Sequence, residues 1–293
     1  MKYYLYNPLA RAFKLQSAID KLKNKDLIRM NDEVEMQNLI NNIQTDDEIY
    51  LAGGDGTLQH FLQTYPQLLD YKIFYHPSGS GNDFARSISD RYPYYYGVQD
   101  SYKDYNYFIN GMGIGFDALI CYKANNAVKK SKVTYIVEAY KSLKEYKPID
   151  IDIVIDGVSE RYENVWLCSL QNGAYFGGGI EIAPDALVDH PEIDVIIAHG
   201  LTSKKVFSFL AYLKMGKMDK VKDYFTFKKA KSVIIKTDEA VLAQFDGNTK
   251  LVTTPLDLSY SRQIKLQITD SFKDDKVKEE VEELETEDTV NEK

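Results

Sequence analysis

Strand-like apolar runs alternate with helical patterns in the first third of the chain. The apolar runs lie at 2–6, 48–52 and 72–75. Strands that alternate with helices predict a parallel sheet that binds ligands at the carboxyl ends of its strands. We therefore expect a three-layer α/β domain over residues 1–98. The predicted helix faces are Ala12, Leu15, Ile19 and Leu22; Val34, Leu39, Ile40 and Ile43; and Leu58, Phe61, Leu62 and Tyr65.

The pattern changes near residue 92. Residues 92–96 are rich in tyrosine and are expected to form a connector that packs between domains. Beyond it, short runs with period-two alternation predict an antiparallel β-sandwich over 99–258, with helices at 133–147 and 203–214 packed on it. Residues 259–272 are expected to form a C-terminal strand that returns to the first domain. The predicted strands are 105–109, 149–155, 165–170, 193–198, 233–236, 241–245 and 264–268.

Charge is unevenly distributed along the 293 residues, a length that suggests about two domains. The net charge is −8, but residues 273–293 alone carry ten Asp or Glu and four Lys, so the rest is close to neutral. Few apolar residues interrupt this acidic tail. It is predicted to be disordered or loosely helical, with a solvating role.

The two cysteines, Cys121 and Cys168, form no disulfide or metal-binding pattern. The chain starts on a strand-like run without a signal-peptide pattern, and no apolar run approaches the ~18 residues that would span a bilayer. These features predict a cytoplasmic protein.

Lysines cluster at three places along the chain. Nucleic-acid binding is disfavoured because the whole chain is acidic, and such clusters are usually solvated faces. A sharper interpretation is that one cluster touches an anionic membrane surface, with Phe207, Phe209 or Tyr212 exposed beside it. The clusters are Lys129, Lys130 and Lys132; Lys141, Lys144 and Lys147; and Lys214, Lys217, Lys220 and Lys222.

The most informative motif joins a predicted strand to a helix through Gly53, Gly54, Asp55, Gly56 and Thr57. Glycines at such a junction let backbone N–H groups approach a phosphate at a helix N-terminus. A carboxylate in this cradle would repel phosphate unless Mg²⁺ lies between them. The alternative is a tight Asp-Gly turn in which Asp55 or Thr57 only caps the helix.

A second loop of the same kind follows the next strand. It contains Gly79, Ser80, Asn82 and Asp83 before a short helix. Two such loops on neighbouring strands can converge on one polyphosphate and its metal, which is more specific than either loop alone. The alternative is another glycine-rich turn, capped by Asn82 or Asp83.

Two later turns are ambiguous. The segment 173–179 contains a triple glycine that permits close ligand approach or a sharp bend. The turn at Asp246 is an equally good hairpin, and its spacing does not distinguish it from the Asp-Gly turn at Asp156. Scattered histidines disfavour a zinc site, and a missing Gly-x-Ser-x-Gly arrangement disfavours Ser-His-Asp catalysis.

Taken in order, the motifs resemble those of the soluble diacylglycerol kinase catalytic fold. This fold is shared with bacterial lipid kinases, sphingosine and ceramide kinases and, more distantly, NAD kinases. The Asn-Asp-Phe in the second loop favours the lipid kinases. The matching segments are Asn7-Pro8, 53–57, 77–86, 110–118, 177–186 and Asp246-Gly247.

The resemblance implies ATP-dependent phosphorylation of a lipid hydroxyl, with diacylglycerol giving phosphatidic acid as the leading reaction. It implies that the first domain binds the nucleotide, with Asn7 and both glycine loops among the contacts, and that the second binds the lipid. Asp55 and Asp83 would organise Mg²⁺ through water, and Asp246 would be the general base. The protein would work as a peripheral protein at the inner membrane surface. A homodimer is one option, since an edge strand can pair.

Several residues depart from the family pattern. Leu9-Ala10-Arg11 replaces a serine- and glycine-rich turn, and Asn248 stands where many members have glutamate. Ser80 replaces a threonine and keeps the hydroxyl. Pro191 takes a glycine position near the family's structural metal, so no metal is expected there. The alternatives are a kinase for another hydroxylated lipid or for NAD, and a silent nucleotide- or lipid-binding regulator.

Overall fold

The computed structural model divides into two compact units. The first contains Met1–Leu58, Gln67–Gly79 and the chain from Lys265; the second contains Gln59–Pro66 and Ser80–Ile264. Residues 59–66 and 80–98, which the sequence assigned to the first domain, thus lie in the second unit. The structure describes residues 1–8, 27–79, 81–88, 91–127, 137–138, 140–143, 145–217 and 220–269.

Several sequence-based expectations fall outside these described residues. They are the helix around Ala12–Leu22, Arg11, Ser80, most of the helix at 133–147, the cluster at Lys129, Lys130 and Lys132, and the acidic tail at 273–293.

The first unit is built on a parallel sheet, as its alternating pattern predicted. The strand order is β18-β4-β3-β1-β2, and every pairing is parallel. Apolar side chains such as Leu5, Leu51 and Ile73 are fully buried in it. The strands are β1 (Lys2–Tyr6), β2 (Leu27–Arg29), β3 (Glu48–Gly53), β4 (Lys72–Pro77) and, from the end of the chain, β18 (Leu266–Ile268).

The helix α1 (Glu33–Asn42) begins at Asp32, whose side chain accepts the backbone N–H groups of the first turn. Its buried face contains Met36 and Leu39. The prediction that Val34 belongs to this face was wrong, because the side chain is 70% exposed. A spacing of five residues between Val34 and Leu39 places them on different sides of a helix.

The helix α2 (Asp55–Thr64) follows β3 almost directly. Leu58, Phe61 and Leu62 are buried at the predicted spacing. A single 3₁₀ turn, Pro66–Leu68, then leads towards β4. Among the described residues no helix is long and apolar enough to cross a bilayer.

The second unit is a large antiparallel structure, which confirms the predicted fold class. Among the described residues, eleven strands form one sheet in the order β16-β15-β7-β9-β8-β14-β17-β5-β6, with β12 added beside β9 and β13 beside β12. The strands are β5 (Tyr94–Gln99), β6 (Tyr105–Phe108), β7 (Gly111–Gly115), β8 (Ile149–Ile155), β9 (Val158–Gln171), β12 (Ile193–His199), β13 (Phe225–Ala230), β14 (Val233–Lys236), β15 (Val241–Phe245), β16 (Asn248–Val252) and β17 (Leu256–Gln263).

Strands from opposite ends of the sheet share one hydrophobic core. Phe108 of β6 and Val252 of β16 belong to the same buried cluster, so the sheet folds over on itself. Helices cover its outer surface around Trp166 and Phe116. The helix α3 (Asp83–Ser87) is short, and α4 (Phe116–Asn125) and α5 (Ser203–Lys214) are the two helices that provide this cover. A small hairpin is formed by β10 (Tyr175–Phe176) and β11 (Ile180–Glu181).

Three expectations for this unit were wrong. The tyrosine-rich stretch is the start of β5 and not a connector, since Tyr95 and Tyr96 are buried in a strand. Residues 259–263 continue β17, so only β18 joins the first sheet. Phe209 is not exposed, because the amphipathic helix turns it into the core, where it is 8% exposed. Tyrosine favours strands, which explains the first error.

Candidate active site

In the first unit, two glycine loops meet backbone to backbone. The N–H of Ser78 donates to the carbonyl of Gly53 at 2.8 Å. A Cβ added to Gly54 would lie 2.9 Å from the Cα of Gly79. Real Cβ atoms do not come this close to a backbone atom, so a side chain at position 54 would push the loops apart.

The glycines of the first loop are not equivalent. A Cβ at Gly53 would overlap the buried side chain of Thr57, whereas a Cβ at Gly56 would meet nothing within 4 Å. The N–H of Thr57 donates to the carbonyl of Gly54 at 2.9 Å and starts α2. Gly53 and Gly54 are therefore required by packing, while Gly56 is not.

Asp55 is the first residue of α2 and is partly buried. Burial raises the pKa of Tyr75 above its usual value, and the negative charge of Asp55 raises it further, so the carboxylate lies near that phenol. A carboxylate at a helix N-terminus is favourable without any ligand. A carboxylate at this position therefore stabilises the start of α2 whether or not it also holds a metal.

Asn7 lies at the same edge of the sheet as the glycine loops. It directly follows β1, in which Tyr6 pairs with Ala52, and Gly53 in turn pairs with Pro77. The carboxyl ends of these strands thus bring Asn7, Gly53 and Ser78 to one edge, where α/β sheets bind ligands.

In the second unit, a backbone N–H group holds the carboxylate of Asp83 in place. Asp83 is 8% exposed at the start of α3, and its Oδ2 accepts the N–H of Gly178 at 2.7 Å. Asn82 precedes it in the left-handed conformation, and its side chain does not cap the helix. The capping interpretation of Asn82 was therefore wrong.

The triple glycine, Gly177 to Gly179, lies close to α3. Gly177, Gly178 and Gly179 have φ values of 61°, 85° and 109°. A Cβ at Gly179 would overlap the guanidinium of Arg86, which lies 6.0 Å from the ring centre of Tyr175. The glycines thus allow the loop to approach Asp83 and Arg86, which the sequence alone did not indicate.

Asp246 occupies the turn between β15 and β16, with φ of 47°. Its Oδ1 accepts the N–H groups of Asn110 and Gly111, both at 2.9 Å, and its Oδ2 accepts that of Ile109 at 2.8 Å. An ionised carboxylate has about four acceptor positions. Both oxygens therefore take part in holding this turn.

The structure distinguishes Asp246 from Asp156, which the sequence did not. Asp156 has nearly the same backbone, with φ of 48°, but it accepts N–H groups from Lys231 and Ser232 through Oδ1 alone. Hydrogen bonds from these two residues lower its pKa, and its carboxylate is exposed. Of these two aspartates, Asp246 is the one that accepts backbone N–H groups through both oxygens.

Asn110 connects Asp246 to the glycine-rich segment. Its Nδ2 donates to the carbonyl of Tyr175 at 2.8 Å, and its carbonyl accepts the N–H groups of Asn172 and Gly173, both at 2.9 Å. Ser87 of α3 supports the same segment by accepting the Ala174 N–H at 2.9 Å. Sequence reasoning missed these positioning roles. The available signal was an asparagine at the end of a strand, directly before a glycine.

The buried carboxyl group of Asp117 is connected to the Asp246 turn through Gln244. The N–H of Gly247 donates to Oε1 of Gln244 at 2.9 Å, and Nε2 of Gln244 donates to Oδ2 of Asp117 at 3.2 Å. Burial raises the pKa of Asp117 to about 6. The sequence did not indicate this link, because Asp117 and Gln244 lie on elements far apart in the chain.

A cavity of about 310 Å³ lies beside this turn, within the second unit. Asn248 lines it and donates to the side chain of Gln59. The volume is at the lower end of the range for small-molecule sites, and amide groups dominate its wall. The lining residues are Gln59, Gln63, Asn106, Phe245, Asn248, Thr249 and Lys250.

Asp55 and Asp83 are the predicted Mg²⁺ ligands. In the part of the chain that the structure describes, no three His, Cys, Asp or Glu side chains come together as a metal site. Mg²⁺ usually takes only one or two protein carboxylates and completes its shell with water and substrate phosphates. Asp55 in the first unit and Asp83 in the second are each carboxylates of the kind that Mg²⁺ takes as a ligand.

The chain is similar to known kinases in both halves. A model of the diacylglycerol kinase catalytic domain matches residues 7–99. A second model, the YegS C-terminal NAD kinase beta sandwich-like domain, matches residues 111–264, which is more than half of the chain.

Two curated relatives are distant in sequence. The chain is 24% identical over 240 residues to the "Putative lipid kinase YtlR" of Bacillus subtilis, a match that covers 73% of this chain and 77% of the relative. It is also 24% identical over 190 residues to a "Diacylglycerol kinase" of Mycobacterium tuberculosis, covering 58% of this chain and 60% of that one.

A solved structure from Bacillus anthracis, described as a "putative diacylglycerol kinase", has the same fold. The TM-score is 0.67 at 20% identity, and the alignment covers 91% of this chain and 95% of the other. At this identity the likeness concerns the fold alone. The two family models, which follow each other in the order of the two predicted domains, show that the chain belongs to the diacylglycerol kinase and bacterial lipid kinase family.

Proposed function

We propose that this protein transfers the γ-phosphate of ATP to a lipid hydroxyl, most favourably converting diacylglycerol to phosphatidic acid. The observation that carries the proposal is the close contact of Gly54 with Gly79 at the N-terminus of α2. Bare backbone N–H groups at a helix N-terminus are the usual cradle for phosphate. The family match adds the expectation of kinase activity.

The proposed reaction needs charge neutralisation and one base. The Gly53–Gly54 backbone would bind phosphate oxygens, and Asp55 and Asp83 would hold Mg²⁺. When bound, the metal would neutralise charge on the phosphates.

The carboxylate of Asp246 would take the hydroxyl proton. The hydroxyl oxygen then forms a bond to the γ-phosphorus, the bond to the ADP oxygen breaks, and the proton passes to the Asp246 carboxylate. Ile109, Asn110 and Gly111 would hold this carboxylate in place through their N–H groups.

A second candidate function is a silent regulator that binds nucleotide or lipid without turnover. The observation that favours it is Asn248, which directly follows the Asp246–Gly247 turn and is hydrogen-bonded to Gln59. An amide at this position cannot act as a base or metal-holding carboxylate.

Transfer of radiolabelled phosphate from ATP tests these functions together. The acceptor panel should contain diacylglycerol, sphingosine, ceramide and NAD. Label in phosphatidic acid is the expected result. Label in another lipid or in NADP would redirect the substrate assignment, and no label despite measurable ATP binding would support the regulator.

We further propose that the enzyme is cytoplasmic and peripheral at the inner membrane surface, where its lipid substrate resides. Recovery in the cytosolic and salt-extractable membrane fractions is the expected outcome. Recovery only after detergent treatment would contradict this location.

A further inference from the structure

Positive charge is concentrated in one stretch of an acidic chain. Residues 203–231 contain nine lysines and two aspartates, although the chain as a whole carries a net charge of −8. This stretch begins with α5, continues through a turn and ends in β13. The lysines at its C-terminal end are paired with carboxylates, as in Lys228 with Glu160 and Lys229 with Asp194.

The lysines just after α5 are arranged differently. Lys217, Lys220 and Lys222 are all exposed. Within the described part of the chain, Lys217 and Lys222 form no ion pair. Their charge is therefore available to a partner outside the protein.

Exposed apolar side chains lie directly beside these lysines. One face of α5 buries Val206, Phe209 and Leu213. In its last turn, however, Tyr212 is 38% exposed, and the following Met215 is 59% exposed. Packing in the core therefore does not explain why Tyr212 and Met215, two large side chains, occur at these positions.

Backbone hydrogen bonds bring the two kinds of residue together. The N–H of Lys217 donates to the carbonyl of Tyr212 at 2.9 Å, which folds the chain back on the helix end. The N–H of Lys220 donates to the carbonyl of Lys217 at 3.1 Å. We call the set Tyr212, Met215, Lys217, Lys220 and Lys222 the basic–apolar surface.

We propose that the basic–apolar surface docks the protein on a bilayer that contains anionic phospholipids. Charge complementarity supports this occupant, because lysines near an anionic leaflet each add favourable binding free energy. Tyrosine is suited to the interface between headgroups and hydrocarbon, and methionine gains by entering the apolar layer. The inference rests on the proposed function for its source of lipid, since the substrate of a lipid kinase lies in a membrane.

Lysines also attract RNA, which is another polyanion, but RNA binding does not explain why Met215 is exposed beside them. Nucleic acids are bound through phosphate contacts and by stacking on aromatic rings. An exposed Met215 gains little from either contact, whereas a membrane buries it.

Co-sedimentation with vesicles tests the inference on the full-length protein. Vesicles of phosphatidylcholine with a third of phosphatidylglycerol are compared with pure phosphatidylcholine at low and high salt. The wild type is expected to bind the anionic vesicles and to lose most of this binding at high salt. The double variant Lys217→Glu/Lys222→Glu is expected to bind at least about tenfold more weakly.

A matched control has the same charge change elsewhere. Lys72 and Lys265 are exposed lysines of the first unit, and Lys72→Glu/Lys265→Glu should bind vesicles within about twofold of the wild type. A second variant, Tyr212→Ser/Met215→Ser, keeps all charges and should also bind more weakly. Thermal melts of all variants confirm that they are folded.

Three results would overturn the proposal. They are unchanged binding of Lys217→Glu/Lys222→Glu, an equal loss in the control pair, and binding to a mixed-sequence RNA in place of vesicles. Phosphorylation of a water-soluble, short-chain diacylglycerol is measured in parallel. If neither the wild type nor any variant phosphorylates this diacylglycerol, but vesicle binding still follows the pattern described above, the proposed kinase function is wrong and the proposed docking surface is retained.

Discussion

The backbone N–H of Ile109 donates to Oδ2 of Asp246 at 2.8 Å, while Oδ1 of the same carboxylate is already occupied by two other N–H groups. Both oxygens of Asp246 are thus needed as acceptors. An amide cannot replace this carboxylate, because its NH₂ group would face an N–H donor. The residue proposed as the base is therefore also a structural anchor.

The variant Asp246→Asn is accordingly expected to lose both phosphoryl transfer and stability. The loss in the free energy of unfolding should be about 1–3 kcal/mol, the cost of one unmet buried donor. Urea unfolding gives the stability, and transfer of labelled phosphate gives the activity. Wild-type activity would remove Asp246 from the mechanism.

Asp156→Asn is the matched control for this experiment. Both backbone N–H bonds to Asp156 end on Oδ1, which an asparagine retains. We expect a smaller loss of stability than for Asp246→Asn and full activity. Equal destabilisation of both variants would contradict the distinction between the two turns.

Gly54→Ala is expected to weaken ATP binding by at least about tenfold, because its Cβ would press on the Gly79 backbone and separate the two loops. Gly56→Ala, in the first turn of α2, has open space for its Cβ. It should bind ATP normally and be slightly more stable, since alanine favours helices. Titration calorimetry measures both affinities. Equal losses would show that steric contact at position 54 is not the cause.

Gly179→Ala should destabilise the protein more than Gly178→Ala. Both glycines have positive φ, so each alanine is strained by about 1–2 kcal/mol. Only the Cβ at 179 also overlaps Arg86; at 178 nothing lies within 4 Å. Melting temperatures compare the two variants, and an equal decrease would show that Arg86 moves aside at no cost.

Asp117 is expected to make stability depend on pH. Burial raises its pKa to about 6, above its ordinary value of 3.8. Between these pH values the folded protein binds more protons at this group than the unfolded chain, so its contribution favours folding at low pH and is lost as pH rises through 6. A shift of about two pKa units corresponds to roughly 3 kcal/mol.

Asp117→Asn removes this titration, because an amide stays neutral at every pH. The stability of the variant relative to the wild type should therefore increase between pH 4 and 6.5 and then level off. Urea midpoints at several pH values measure the difference. A relative stability that is constant over this range would contradict a raised pKa for Asp117.

Local patterns in the sequence were enough to predict the class of both units and the order of the motifs. Alternating strand and helix patterns predict the parallel sheet, because the burial of one helix face or of both strand faces leaves a periodic record in local sequence. Period-two runs predict most of the antiparallel strands for the same reason. The family resemblance, carried by glycine and aspartate motifs, was likewise present in the order of residues.

The contacts that hold these residues together were found in the three-dimensional fold and were not predicted from the sequence. Asp246 differs from Asp156 because three N–H groups, from residues 135–137 positions away, reach both of its oxygens, whereas the two N–H groups that Asp156 accepts both reach Oδ1. Gly54 differs from Gly56 because a second loop lies against it. Asp117 has a raised pKa because distant strands bury it. Contacts between distant segments are set by packing in three dimensions, and local sequence patterns do not record them.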